Sequence, residues 1–438
     1  MDKTKIVNII KSLVIILTAV IIVRTAAGIL VLKSEDGINQ FDAFYKQPKN
    51  SIDVLFLGSS KVYCDISTGV LWDNYGIASF DLGGAEAGPW VSYYHLKEAL
   101  KTQKPKVIFY EASSSAIFDD DYQDDNWSTD NCYGMKWNMN RIEQLRANSE
   151  GDDFYKRLNP FNIMHGRYKD LGENDFTNVR DSVNYKGFDT REREWGMKTP
   201  GTLGITEREP ITGKQQEYIK KLIDLANSEG IPFVIFISPY DICEDDVKKV
   251  NYIGDLAAGE GVEFINFNMK YDELGLDFEH DMADTFHLNY SGNYKYSDYL
   301  GKLLRENYDI PDRRGDDTYS SWNWDSSLQN YERNDLRIMQ AGTANDVMTM
   351  TGEGYIVMAV YNGTAAFFCN NEVVSSAEDS IRLTYSYGGD TFLYEKVREG
   401  SKEYCVFYVN DKEYREEYGN VMFVYDTVRH EYVRSVYF

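Results

Sequence analysis

The chain has 438 residues, enough for two or three domains, and is 43% hydrophobic and 14% aromatic. That composition excludes a disordered polymer, which lacks the apolar content to build cores. The net charge of −24 argues against nucleic acid as the main partner, because phosphate binding needs a basic footprint, and it reads instead as a solvated surface.

Residues 1–34 stand apart from the rest. Lys3, Lys5 and Lys11 precede or interrupt an apolar run that Arg24 breaks and residues 25–32 resume. The segment is long enough to cross a bilayer, with Arg24 snorkelling or lying near the outer interface. The lysines predict a single-pass arrangement in the cell membrane, with the N-terminus inside and the catalytic domain extracellular. A signal peptide cleaved near Ala26-Ala27 is the rival reading. Apolar residues continue past Ala27, which favours an uncleaved anchor. Both readings export the rest of the chain.

Residues 34–51 are polar and read as a membrane-proximal linker with a short helix near 38–45. A first strand over 52–57 ends abruptly at Gly58-Ser59-Ser60, and a helix-compatible segment follows. Such a turn places a hydroxyl at the carboxyl edge of a parallel sheet, where open α/β folds bind ligands. A serine there is a nucleophile if a base reaches it; otherwise Ser59 or Ser60 caps the helix. A second strand over 78–82 ends in Gly83-Gly84, and a helix over 90–101 follows. A third strand over 106–110 then runs into Glu111-Ala112-Ser113. Strand, helix and strand at short intervals predict a parallel α/β sheet.

Residues 117–131 hold six aspartates. Their spacing is not that of an EF-hand loop, so they read as a solvated loop rather than a calcium site. Residues 132–210 are polar, aromatic and irregular. With the preceding loop they form an insertion or lid over about 115–210, in which His165-Gly166-Arg167-Tyr168 stands out. The α/β pattern resumes with a helix over 214–228 closed by Gly230. A strand over 231–238, a helix over 245–259, a strand over 262–267 and a helix over 289–307 complete it.

Between the last strand and the last helix lies Asp284-Thr285-Phe286-His287-Leu288-Asn289. A carboxylate three residues before a histidine can orient the imidazole from the same turn, which is what a serine nucleophile needs. Ser60, His287 and Asp284 thus fall at matching strand ends.

Gly-Ser-Ser after the first strand, the glycine pair after the second, and Asp284-x-x-His287-Leu-Asn before the last helix resemble the SGNH/GDSL hydrolase superfamily. The resemblance covers about residues 50–307, within a domain of 35–309. It implies a flavodoxin-like three-layer α/β sandwich with a parallel sheet. It implies Ser60 as nucleophile, His287 as base and Asp284 as its orienter. Backbone N–H groups of Ser60 and of Gly83 or Gly84 would form the oxyanion hole. No metal or organic cofactor is implied. The family's third block supplies an Asn, whereas Glu111-Ala112-Ser113-Ser114 stands here. That departure points to the membrane-tethered branch similar to the D-alanyl transfer protein of teichoic acid synthesis and to alginate O-acetylation proteins. The implied activity is that of an exported serine esterase or O-acyltransferase acting on acyl esters of a cell-envelope glycan or glycopolymer. Other envelope-modification proteins are candidate partners. A catalytically weak scaffold that binds or presents glycan is the alternative. His165, Arg167 and Asn289 are candidate substrate contacts, Arg167 by bidentate binding of an anion; His165 and Arg167 otherwise pack as a lid pair.

Residues 310–338 are polar, with Pro311 and Gly315, and read as a linker. Residues 339–438 are β-rich, with strands over 355–361, 381–387, 403–409 and 421–425 and turns at Asn410-Asp411 and 426–430. The ending, GNVMFVYDTVRHEYVRSVYF, resembles the last hairpin of the interleukin-like EMT-inducer type domain. That likeness implies a carbohydrate-binding accessory module; a plain β-sandwich is the alternative. The five cysteines, Cys64, Cys132, Cys243, Cys369 and Cys405, form no CxxC pair. Cys369 and Cys405 lie close enough in sequence to pair in an exported protein.

Overall fold

The structure is a computed structural model and describes residues 3–32, 37–177, 185–202 and 204–438. The chain forms two compact units, Met1–Ser326 and Ser327–Phe438.

Five strands form the sheet of the first unit: β1 Val54–Gly58, β2 Ser79–Gly83, β3 Val107–Glu111, β4 Phe233–Ile237 and β5 Glu263–Asn266. All pairings are parallel and the order is β2-β1-β3-β4-β5, the flavodoxin-like arrangement. Successive side chains of a strand point to opposite faces, and both faces are covered. Leu55, Leu57, Ile108, Tyr110, Ile235 and Ile237 pack on the helices Pro89–Ala99, Gly213–Ser228 and Glu244–Gly259. Val54, Phe56, Val107, Phe109, Val234 and Phe236 pack on the other side, against Tyr296, Leu300 and Leu304 of the helix Tyr290–Asn307. Burial on both faces is why β1, β3 and β4 read as unbroken apolar runs.

The N-terminal helix spans Lys3–Leu30, and an 18-residue window within Lys5–Leu30 has a mean hydropathy of 2.7. It is long and apolar enough to cross a membrane.

The insertion departs from the irregular segment expected. It carries the helices Asp125–Tyr133, Met139–Ala147, Asp153–Arg157, Pro160–Met164 and Glu173–Thr177. Three of these start on a short polar side chain that accepts backbone N–H groups: Asp124 from Trp127, Asn138 from Asn140 and Arg141, and Asn159 from Phe161. The aspartates are a solvated loop only in part: residues 118–124 are loop, with Asp119, Asp120 and Asp124 exposed, whereas Asp125 and Asp130 lie in the helix Asp125–Tyr133. Asp119 pairs with Lys249 at 2.6 Å, and Asp125 pairs with Lys156 and with Arg157. Among the described residues no cluster of His, Cys, Asp or Glu suits a metal ion.

The reading of 310–338 as a linker is also corrected. Arg313 makes a two-pronged ion pair with Asp53, and a 21-residue helix, Ser320–Gln340, follows. Trp322 is buried with its ring 6.2 Å from that of Trp72. These contacts make residues up to Ser326 part of the first unit.

The second unit is all antiparallel in its sheets. Its strands are β6 Tyr355–Tyr361, β7 Thr364–Cys369, β8 Glu372–Glu378, β9 Arg382–Tyr387, β10 Asp390–Glu399, β11 Lys402–Val409, β12 Lys412–Glu417, β13 Val421–Asp426 and β14 Glu431–Tyr437. They form a five-stranded sheet, β14-β13-β6-β7-β8, and a four-stranded one, β12-β11-β10-β9. Phe367, Phe392, Phe407 and Phe423, from both sheets, share one core. Cys369 and Cys405 are buried in that core as free thiols, so the pairing considered from sequence is not made.

Candidate active site

β1 ends at Gly58, whose φ of +144° and close approach to Glu111 exclude a side chain: an added Cβ would lie 2.7 Å from the Glu111 backbone oxygen. The chain then turns into the helix Ser60–Asp65. The two serines divide the roles that the sequence left open. Ser59 is the cap: its Oγ accepts the Lys61 N–H and donates to Glu111 Oε2 at 3.1 Å. Ser60, the next residue, has its Oγ 2.7 Å from His287 Nε2.

His287 arrives from the turn before the last helix of the sheet domain. Its Nδ1 lies 3.0 Å from both carboxylate oxygens of Asp284. The same carboxylate accepts the backbone N–H groups of Phe286 at 2.7 Å and His287 at 2.9 Å, so it holds the turn as well as the ring. Burial opposes the charge on Asp284, but the His287 contact and the two amides outweigh it and hold its pKa down at about 2. His287 is pushed below the usual histidine range, chiefly by burial and further by the Lys61 cation; Asp284 works the other way. The three residues together form the nucleophile–base–orienter geometry.

A cavity of about 330 Å³ opens beside Ser60 and His287, at the carboxyl ends of β1, β2 and β3. Phe118, Trp127 and Phe286 give it an apolar wall, and Lys61, Glu86 and Arg191 give it charge. Sequence reasoning missed Lys61. It is buried, its Nζ donates to the Phe286 carbonyl and it sits 3.9 Å from the centre of the Tyr240 ring. Beneath it, Glu111 is fully buried and accepts four hydrogen bonds: from Ser59 Oγ, Ser113 Oγ, and the N–H groups of Ser113 and Ser238.

The remaining expected site residues lie elsewhere. Gly84 donates its N–H to the Gly58 carbonyl at 3.1 Å, and Gly83 closes the β1–β2 ladder opposite Gly58. Neither lines the cavity; Ala85 does. The pair exists for close packing, since a Cβ on Gly84 would meet Asn131 Oδ1 at 2.3 Å. Asn289 is buried and caps the helix Tyr290–Asn307, accepting from Ser291 and Gly292 while donating to the His280 carbonyl. His165 is exposed and stacks on Phe161. Arg167 bonds the Leu30 carbonyl and Asp175. His165, Arg167 and Asn289 are therefore outside the cavity wall.

No family model matches the chain, and no curated protein does. Among solved structures, one similar chain is a gut microbial diltiazem-metabolizing enzyme, 11% identical, with a TM-score of 0.23 over 83% of this chain and 58% of that one. The chain thus spans less than two thirds of that structure. A likeness at this level speaks to neither the fold nor the chemistry.

Proposed function

We propose that the first unit is a membrane-tethered serine esterase or O-acyltransferase of the SGNH type, working through an acyl-Ser60 intermediate on acyl esters of a cell-envelope glycan or glycopolymer. The observation that carries this reading is the 2.7 Å contact of Ser60 Oγ with an imidazole held by Asp284. His287 takes the Ser60 proton as Oγ attacks the ester carbonyl. The backbone N–H groups of Ser60 and Ala85 are the candidate donors to the developing oxyanion, Ala85 replacing the glycine pair. His287 then protonates the departing alcohol. Water or a sugar hydroxyl, deprotonated by His287, attacks the acyl-serine and frees it. The tether supports a substrate at the cell surface, and the second unit is proposed as its glycan-binding accessory, on the likeness of its last hairpin.

One observation favours the alternative of a catalytically weak scaffold. The block Glu111-Ala112-Ser113-Ser114 carries no Asn, and the hydroxyl of Ser114, at the cavity, is given to the Ala87 carbonyl at 2.8 Å. A fluorophosphonate probe separates the two readings. Wild type is expected to label and Ser60→Ala is not; a folded wild type that stays unlabelled overturns the enzyme reading.

The pH dependence follows from the charges. The labelling rate is expected to rise with pH as His287 loses its proton, with the limb below the ordinary histidine value of about 6.5. Lys61 disfavours the imidazolium, so Lys61→Met raises the His287 pKa and moves the limb to higher pH. A limb that stays put or moves to lower pH counts against the Lys61 contribution.

A further inference from the structure

A second cavity, of about 490 Å³, lies where the N-terminal helix meets the helical insertion. Arg24, Ala27 and Val31 line it from the helix, and Trp137, Arg141 and Leu158 from the insertion. Its lining is apolar or aromatic apart from two guanidinium groups and Asn159, and no carboxylate is among the described residues that line it.

Both arginines lack an anion. Arg141 is only 9% exposed. Its Nη1 donates to the Tyr133 and Met135 carbonyls, but its Nε is buried with no partner. A buried donor left unmade is costly, more so on a charged group. Arg24 is exposed on the helix and has no hydrogen-bond partner among the described residues. An arginine on a membrane-crossing helix calls for such a partner. Depth adds a third argument. Lys5 to Arg24 rises about 28 Å along an α-helix, close to the roughly 30 Å of a bilayer's hydrocarbon core. With the lysine end at one face, Arg24 stands at the headgroup level of the other.

We propose that this cavity binds a phosphate-bearing glycerolipid of the outer leaflet, its phosphate between Arg24 and Arg141 and its acyl chains running back past Val23 into the bilayer. Guanidinium groups suit phosphate oxygens. The groove is continuous with the helix that crosses the bilayer, so the ligand arrives laterally and needs no solvent path. Trp137, 52% exposed at the rim, has the amphipathic character of residues at the headgroup level.

The test is native mass spectrometry of the full chain released from maltoside micelles carrying dioleoyl phosphatidylglycerol. Wild type is expected to retain one lipid most firmly. Arg24→Gln, which removes the exposed charge, and Ala27→Trp, which fills the groove with both charges kept, are each expected to weaken that retention about tenfold or more. Dioleoylglycerol, which lacks the phosphate, is expected not to be retained. Retention unchanged in both variants, or dioleoylglycerol held equally well, overturns the proposal. So does full displacement of the lipid by millimolar inorganic phosphate, which would make this a free-anion site. Melting curves of each variant establish that it is folded. The result is independent of whether Ser60 labels.

Discussion

His287→Ala is expected to slow acylation of Ser60 by about 10⁴- to 10⁶-fold, measured as kcat/KM on p-nitrophenyl acetate. A serine hydroxyl is a weak nucleophile until a base takes its proton. The described base is the imidazole 2.7 Å from Ser60 Oγ; the buried Lys61, held by the Phe286 carbonyl, makes no contact with that oxygen among the described hydrogen bonds. Residues that act as one unit are not additive, so Ser60→Ala/His287→Ala is expected to be no slower than either single variant. Asp284→Asn is expected to lose less, about 10²- to 10⁴-fold, because an amide still fills the turn but no longer fixes the tautomer or supports the imidazolium. A loss under about tenfold for His287→Ala, in a variant with an unchanged melting curve, would remove the base from the mechanism.

Glu111→Leu is expected to destabilise the first unit by roughly 3–5 kcal/mol, a fall in Tm on the order of 10 °C. Four donors converge on this carboxylate: the two amides on Oε1 and the two hydroxyls on Oε2. Leucine leaves all of them buried without an acceptor. Glu111→Gln is expected to fold nearly as well as wild type. Its oxygen can serve the amides, and the hydroxyls of Ser59 and Ser113 can turn to accept from its NH₂. The comparison by thermal melting therefore separates the loss of hydrogen bonds from the loss of charge. A leucine variant melting within about 2 °C of wild type would mean that the carboxylate is not the structural hub beneath the serine turn.

Much of this arrangement was legible in the chain. The strands buried on both faces announced themselves as apolar runs, and the topology brings Ser60 and His287 to one sheet edge, as their positions after strands implied. What failed depended on partners distant in sequence. Gly83-Gly84 suited either an oxyanion donor or a tight approach, and only the arrival of Asn131 decides for the approach. Lys61 went unremarked because the Tyr240 ring and the Phe286 carbonyl that enclose it come from two other segments. His165 and Arg167 were singled out as part of a run within the insertion, which says nothing about place. The supposed linker is polar over much of its length, yet Trp322 finds Trp72 across the fold. β8 and β12 were missed because their residues are mostly polar and exposed, without the apolar run that marks β6 or β13.

The hydrogen bond between Ser60 and His287 joins residues 227 positions apart. Every strand of the parallel sheet lies between or beside them in the chain, so the pair cannot meet until the final helix has docked. Contacts this remote form late and slowly. A nascent polypeptide therefore lacks the contact between Ser60 and His287, which arrives only with completion of the first unit's fold.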